Sequence, residues 1–162
     1  MTPLEIREQT RLTPEAFALV IGTTRSAVAS YEAGRRCPAT RVAARYRAVE
    51  ETLSGPVRSY GAFRGRPIEL PDSAWVSAVP HRGTFRLPVH LDWSYRKGRD
   101  MALVDDRLAV YAQVLAEGKP SDIRFWIDLP ELHRFLPELL IPRHLRGPSA
   151  EMLRRIEDPD GD

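Results

Sequence analysis

A short helical segment closed at both ends by recognisable signals lies near the N-terminus of this chain. Thr13 can cap a helix over residues 14–21, because a threonine oxygen accepts an otherwise unpaired N–H of the first turn. Pro14 suits the first helical position, where no N–H donor is needed. Gly22 follows the segment, and glycine tolerates the left-handed conformation that often ends a helix.

A second helical segment of similar length begins three residues later. Thr24 can cap a helix over residues 25–33, and Gly34 follows it. The three-residue gap between the two segments is the spacing of a helix-turn-helix. Apolar residues stand where two crossing helices would bury them together, at Phe17, Val20, Ile21, Val28 and Tyr31.

The other face of the second helix carries short or hydrogen-bonding side chains, namely Arg25, Ser26, Ala29 and Ser30. A helix that met only water would usually carry more Glu and Lys on that face. We therefore predict that this face enters a groove of another molecule.

Residues 12–38 resemble the Xre-type helix-turn-helix family, to which Cro and the phage repressors belong. The matching residues are Leu12, Thr13, Glu15, Ala18, Gly22, Thr24, Tyr31, Glu32, Gly34, Arg35, Arg36 and Pro38. Pro14 departs from the family, many of whose members have a phosphate-contacting Gln there. The resemblance implies sequence-specific binding of double-stranded operator DNA by a bacterial transcription regulator.

The same resemblance implies a role for each residue around the second helix. Those facing base edges would be Arg25, Ser26, Ala29 and Ser30, with the arginine suited to guanine and the alanine to a thymine methyl. Those holding phosphates would be Thr24, Arg35, Arg36 and Arg41. The alternative for each arginine is a solvated surface charge, and for Arg41 the two interpretations weigh equally. We expect a homodimer that binds two half-sites.

Charge is unevenly distributed along the 162 residues, although the net charge is only +2. Basic residues exceed acidic ones by 8 to 6 in residues 1–53 and by 8 to 3 in residues 54–99, whereas residues 100–162 carry 8 basic and 13 acidic residues. A basic front and an acidic end favour nucleic acid at one end and another partner at the other.

Several classes of protein are disfavoured by composition. The single cysteine, Cys37, excludes an internal disulfide and a cysteine-based zinc site. No apolar run of about 18 residues is present, so no membrane span is predicted. The N-terminus has no signal-peptide pattern, and a cytoplasmic location is expected.

We predict an α+β chain of two domains. An all-α DNA-binding domain would occupy residues 1–53, with flanking helices over residues 3–11, capped by Thr2, and over residues 39–53. It would end at the Ser-Gly-Pro sequence of residues 54–56. A mixed domain with short strands and a helical C-terminal part would occupy residues 57–157.

The first part of the second domain is rich in Pro and Gly. Alternating apolar and polar residues predict a strand over residues 84–93, and Pro88 within it indicates an edge strand or a bulge. A second strand is predicted over residues 101–104. Residues 58–66 interleave arginines with aromatic rings; we interpret them as a loop whose rings pack inward, with phosphate contact as the alternative.

The later part of the second domain has a helical pattern. A helix capped by Asp105 should end at Gly118. The other predicted helices cover residues 121–127, 128–140 with an interruption at Pro137, and 149–156. Phe125 and Trp126 are adjacent on one of them, and we predict that they bind a partner, since neighbours on a helix do not face the same side.

Residues 105–146 resemble a module found behind Xre-type domains in bacterial regulators. The matching residues are Arg107, Tyr111, Val114, Leu115, Glu117, Gly118, Pro120, Asp122, Ile123, Ile127, Asp128, Leu129, Ile141 and Pro142. Proteins of this kind are antitoxins and autorepressors encoded beside a toxin, often a nucleotidyltransferase-like one. The resemblance implies a repressor that neutralises a cognate toxin through its C-terminal domain.

A stand-alone regulator whose C-terminal domain senses a small molecule is the alternative. A pocket lined by Trp93 and the arginines of residues 82–99 would favour a sensor, and a flat apolar face on the helices of residues 105–140 would favour a toxin partner.

An enzyme is not expected. The four histidines, His81, His90, His133 and His144, are far apart in sequence and form no helical ligand pair, and no nucleophile elbow or Walker loop is present. We therefore predict no metal, no cofactor and no catalytic residue. Asp92 and Asp100 gathered with a histidine around a metal would contradict this.

Overall fold

The computed structural model describes residues 1–93 and 97–161. In these residues an N-terminal group of helices is followed by short antiparallel strands and further helices, which is the α+β class that the sequence predicts. The helices are α1 (Pro3–Thr10), α2 (Pro14–Ile21), α3 (Arg25–Glu32), α4 (Thr40–Leu53), α5 (Val104–Glu117), α6 (Pro120–Trp126), α7 (Leu129–Phe135) and α8 (Arg143–Glu157). The strands are β1 (Val57–Phe63), β2 (Arg66–Pro71), β3 (Thr84–Phe85) and β4 (Arg99–Asp100), and a 3₁₀ turn over Leu136–Glu138 follows α7.

Local capping defines the first three helices as the sequence predicts. Thr2, Thr13 and Thr24 each accept a hydrogen bond from the N–H three residues later, at 3.1 to 3.2 Å. Gly22 ends α2 in the left-handed conformation, with φ of 72°. These signals act within one helical turn, so they need no tertiary contact to operate.

The four N-terminal helices enclose an aromatic and aliphatic core. The ring of Phe17 lies 5.5 Å from that of Tyr46 on α4, and the ring of Tyr31 lies 6.3 Å from the same tyrosine. Burial therefore fixes α4 against both helices of the helix-turn-helix. The other core residues here are Ile6, Leu12, Ala18, Val20, Ile21, Ala27, Val28 and Val49.

Residues 57–71 form an antiparallel hairpin, β1 with β2, so the prediction of a loop over residues 58–66 is wrong. The two residues between the strands, Arg64 and Gly65, have φ of 51° and 78°. A two-residue turn with both φ values positive matches the twist of a hairpin. At the end of β1, the ring of Phe63 stacks on that of His144, with centroids 3.7 Å apart.

The strand predicted over residues 84–93 is confirmed only at its first two residues, where β3 pairs with β4. Beyond it the backbone turns, because the N–H groups of Leu91 and Asp92 both donate to the carbonyl oxygen of Pro88. The apolar alternation here reflects burial of single residues in a turn. The strand predicted over residues 101–104 is also wrong, since α5 begins at Val104.

Two helix starts in the C-terminal part differ from prediction. Leu103, not Asp105, is the N-cap of α5, and the Asp106 carboxylate accepts a hydrogen bond from the N–H of Asp100 at 2.7 Å. Helix α8 begins at Arg143, before the predicted residue 149, and continues through Pro148. Proline usually interrupts a helix, which is why the sequence favoured a later start.

Helix α6 lies at the centre of the C-terminal part, against α4, α5 and β2. Its backbone is tied to residues 75–79: the indole N–H of Trp75 donates to the Ile127 carbonyl at 2.8 Å, and two N–H groups donate to the Phe125 carbonyl. The buried hydrophobic residues form one cluster that continues from α1 to α8. Among the helices of the described ranges, none is both long and apolar enough to cross a membrane.

Candidate nucleic-acid interface

Helix α3 has one buried and one exposed face. Ala27, Val28 and Tyr31 are buried against the other N-terminal helices. Arg25, Ser26 and Ala29 are exposed, and Ser30 is half-buried at the edge. This division follows the helical period, so the residues predicted to face base edges lie on the surface that the core leaves open.

Arg25 has a partner that the sequence did not reveal. Its guanidinium lies 3.2 Å from a carboxylate oxygen of Glu15, at the start of α2. Both side chains are about two-thirds exposed, at 69% and 70%, so the pair contributes little to stability. The pair does bring the guanidinium of Arg25 next to the start of α2.

The residues predicted to hold phosphates are all exposed and lie around the ends of α3. Thr24 caps its N-terminus with the hydroxyl oxygen as acceptor. Arg35 and Arg36 follow its C-terminus, where their N–H groups donate to the Ser30 carbonyl. Arg36 also lies over the ring of Tyr31, at 5.7 Å from its centroid, and Arg41 lies in the first turn of α4.

An ion pair joins α3 to α1. The guanidinium of Arg7 on α1 binds both carboxylate oxygens of Glu32, and it also donates to the Leu12 carbonyl at 3.0 Å. The hydrogen bond to Glu32 raises the pKa of Arg7. The sequence identified Glu32 only as a motif residue, and its partner lies 25 residues earlier in the chain, so no local signal paired the two.

The end of α2 is held by α4. Arg45 donates to the carbonyl oxygen of Val20 at 2.9 Å. At the next residue, burial raises the pKa of Tyr46 to about 12. Helix α4 therefore carries both the core contact and the polar contact that position the helix-turn-helix.

The C-terminal part also touches α2. A Cβ added to Gly83 would lie 3.1 Å from a methyl carbon of Leu19, which is the outward leucine of α2. The loop before β3 thus lies directly against the helix-turn-helix.

The predicted partner-binding pair is corrected by the structure. Phe125 is 2% exposed and Trp126 is 1% exposed. Both are buried because α6 is enclosed on several sides, so neighbouring side chains enter different parts of one core. The ring of Trp126 meets that of Phe85 edge to face, with centroids 5.8 Å apart.

The pocket around Trp93 that would have favoured a small-molecule sensor is not found in the described residues. Trp93 is 78% exposed, and part of the predicted lining, residues 94–96, lies outside the described ranges. A cavity of about 590 Å³ instead lies between α4 and residues 73–78, with Arg124 at one side.

A histidine and two carboxylates do come close together, but they do not include Asp92 or Asp100. Ligand atoms of His81, Asp128 and Glu131 lie within 4.8 Å of one another. Both carboxylates have structural partners already: Asp128 caps α7, while Glu131 binds Arg107 at 2.8 Å and accepts from the Tyr111 hydroxyl. The carboxylate of Asp100 accepts a hydrogen bond from the N–H of Ala102.

A family model described as helix-turn-helix matches residues 4–48. The match spans α1 to α3 and most of α4, and it supports a DNA-binding transcription regulator of the Xre type. It does not reach residues 105–146, so the resemblance of that module to antitoxins stays a prediction. No curated protein and no solved structure matches the chain.

Proposed function

We propose that the chain is a sequence-specific transcriptional repressor that reads its operator with α3. The observation that carries the proposal is the exposed face of α3, which presents Arg25, Ser26 and Ala29 while its apolar residues are buried. Arginine donates two hydrogen bonds to guanine, serine donates or accepts one, and alanine contacts a thymine methyl.

Phosphate contacts would set the register of α3 in the major groove. All four residues proposed for these contacts are exposed: Thr24, Arg35 and Arg36 near the ends of α3, and Arg41 in the first turn of α4. Contacts of this kind position a protein on DNA without reading sequence. As a homodimer, the protein would bind two half-sites about 34 Å apart.

The pair between Arg25 and Glu15 bears on this mechanism. Arg25 must exchange the carboxylate for a base edge when DNA arrives, and the exposure of both side chains makes that exchange inexpensive. Glu15 would meanwhile repel a nearby phosphate. Glu15→Gln should therefore tighten binding.

For the C-terminal part we propose the role of an antitoxin that neutralises a cognate toxin and represses its own operon. The resemblance of residues 105–146 supports this role. In this proposal residues 1–53 bind DNA, and residues 57–157 bind the partner. Since Phe125 and Trp126 are buried, the partner surface must use other residues. A small-molecule sensor is the second candidate, favoured by the cavity beside Arg124.

Selection of binding sites from random double-stranded DNA tests the first proposal. Arg25→Ala should weaken binding to the selected site by about 5- to 100-fold and relax the preference at one base pair. Arg35→Ala should weaken binding to all sequences and lower the slope of its salt dependence by about one. Arg143→Ala is the control, because Arg143 is exposed on α8.

An unchanged site preference in Arg25→Ala would contradict the assignment of α3 as the recognition helix. Co-expression with the neighbouring reading frames, followed by capture of the full chain, tests the antitoxin role. A neighbour that is toxic alone and co-purifies in equal amount is expected. Harmless neighbours and a chain captured alone would contradict the role.

A further inference from the structure

The cavity between α4 and residues 73–78 has the size of a small-molecule site. Its volume is about 590 Å³, within the range of typical ligand pockets. Much of its wall is apolar, with contributions from Ala48, Val49, Trp75 and Ala78. A compact hydrocarbon body can therefore pack against these four residues.

One wall of the cavity holds a buried charge. Arg124 is 2% exposed, and a guanidinium nitrogen donates to the Pro56 carbonyl. Across the described ranges, no carboxylate lies within 4 Å of that guanidinium. The carboxylate whose charge influences it most, that of Asp72, is bound to Arg58 at 2.7 Å.

The backbone makes room for this side chain. A Cβ at Gly55 would collide with the guanidinium carbon and Nε of Arg124. Burial lowers the pKa of Arg124, which is the effect of holding a cation away from water. An arginine has five N–H donors, and the Pro56 carbonyl is the acceptor found in the described part of the chain.

Between a singly and a doubly charged anion, the residues around Arg124 favour the singly charged one. The planar guanidinium fork matches a carboxylate through two parallel hydrogen bonds. The last turn of α4 faces the cavity with Glu51 and Thr52, and the C-terminal end of a helix carries partial negative charge. A doubly charged phosphate would be repelled there more than a carboxylate.

We propose that this cavity binds a small organic carboxylate, whose charged group pairs with Arg124 and whose apolar body lies against α4 and Trp75, and that the bound ligand changes operator affinity. The second part rests on the proposed DNA-binding function. Helix α4 links the two sites, since its Arg45 lines the cavity and also donates to the carbonyl of Val20 at the end of α2.

Calorimetric titration of the full chain with benzoate tests the site. Benzamide has nearly the same shape without the charge, and inorganic phosphate has charge without the apolar body. Benzoate should bind at least about tenfold more tightly than either, as a charge-assisted bidentate pair requires. Equal binding of benzoate and benzamide, tighter binding of phosphate, or no benzoate binding would overturn the proposal.

Two variants locate the binding. Arg124→Met should weaken benzoate binding at least about tenfold, while Arg143→Met removes an equal charge from an exposed position and should leave it unchanged. Ala48→Leu narrows the cavity and keeps Arg124. Its control is Ala44→Leu, one turn earlier on the same face of α4 but outside the cavity lining. Unchanged benzoate binding in Ala48→Leu would overturn the site even if Arg124→Met failed to fold.

Operator binding is measured separately on the DNA fragment selected above. Benzoate should shift the affinity of the wild type and not that of Ala48→Leu. If the chain binds no DNA at all, the proposed function fails while the calorimetry still decides the carboxylate site. If DNA and benzoate both bind without influencing each other, the regulatory part of the inference is overturned.

Discussion

The N-terminal helices hold a half-buried arginine and the C-terminal part holds a buried one, and the two charges have different partners. Arg7 binds both oxygens of Glu32, and that hydrogen bond raises its pKa. Arg124 is buried more deeply, binds a backbone carbonyl, and its pKa is lowered by burial. A paired charge fixes two helices to each other. A buried charge without a carboxylate beside it is a cost that a bound anion can offset.

The prediction with the largest expected effect tests whether the two regions share one core. Trp126→Ala should lower the free energy of unfolding by about 3–5 kcal/mol, because the cavity left by a buried indole relaxes only in part. Helix α6 packs on α4, so the loss should reach the N-terminal helices. Circular dichroism and tryptophan fluorescence in urea measure the unfolding.

A single transition seen by both methods is expected from the continuous hydrophobic cluster. Two separated transitions would mean that the N-terminal helices fold on their own. Trp93→Ala is the control: Trp93 is 78% exposed, and its loss should change the unfolding free energy by less than about 0.5 kcal/mol.

Replacing the two arginines by methionine sharpens the contrast between them. Arg7→Met leaves the Glu32 carboxylate mostly buried without its partner, and it should cost about 2–3 kcal/mol. Arg124→Met removes a buried charge and fills similar space, so it should change stability by less than about 1 kcal/mol. Urea denaturation of the full chain measures both. An equal loss in the two variants would show that Arg124 is a structural residue.

Two buried tyrosines give the smallest expected difference. In the described residues the hydroxyl of Tyr46 has no hydrogen-bond partner, whereas that of Tyr111 donates to Glu131 at 3.1 Å. Tyr111→Phe should therefore cost about 1–2 kcal/mol, and Tyr46→Phe should cost nothing or stabilise by up to about 1 kcal/mol. Urea unfolding near pH 7 measures both.

The pH dependence of the same variants follows from burial, which raises both pKa values and brings that of Tyr46 to about 12. The ordinary pKa of tyrosine is near 10. When the folded-state pKa is higher, the stabilisation that comes from this difference is complete below pH 10 and is lost as pH rises towards 12. Between these pH values the free energy of unfolding should fall less in Tyr46→Phe than in the wild type. Identical profiles would contradict the burial argument.

Sequence-based prediction succeeded where structure depends on neighbouring residues. Thr13, Thr24 and Gly22 act within one turn of their own helices, so the helix-turn-helix and the exposed residues of α3 could be predicted. The hairpin turn at Arg64 and Gly65 was missed although its glycine was a local signal.

Other features depend on residues distant in the chain. The pair between Arg7 and Glu32, the burial of both rings on α6 and the cavity beside Arg124 arise only when several elements meet. Helical spacing predicts which residues share a face of the helix, but it does not predict how many faces other elements pack against. That is why Phe125 and Trp126 were expected at the surface.

The position of α6 has a consequence for the order of events on the ribosome. The four N-terminal helices are complete once residue 53 has been synthesised, whereas α6 begins at residue 120. A seven-residue helix is too short to persist alone in water. We therefore expect the outer side of α4 to be exposed in the nascent chain until α6 has been synthesised. The later part of the polypeptide would then pack against an α4 that is already formed.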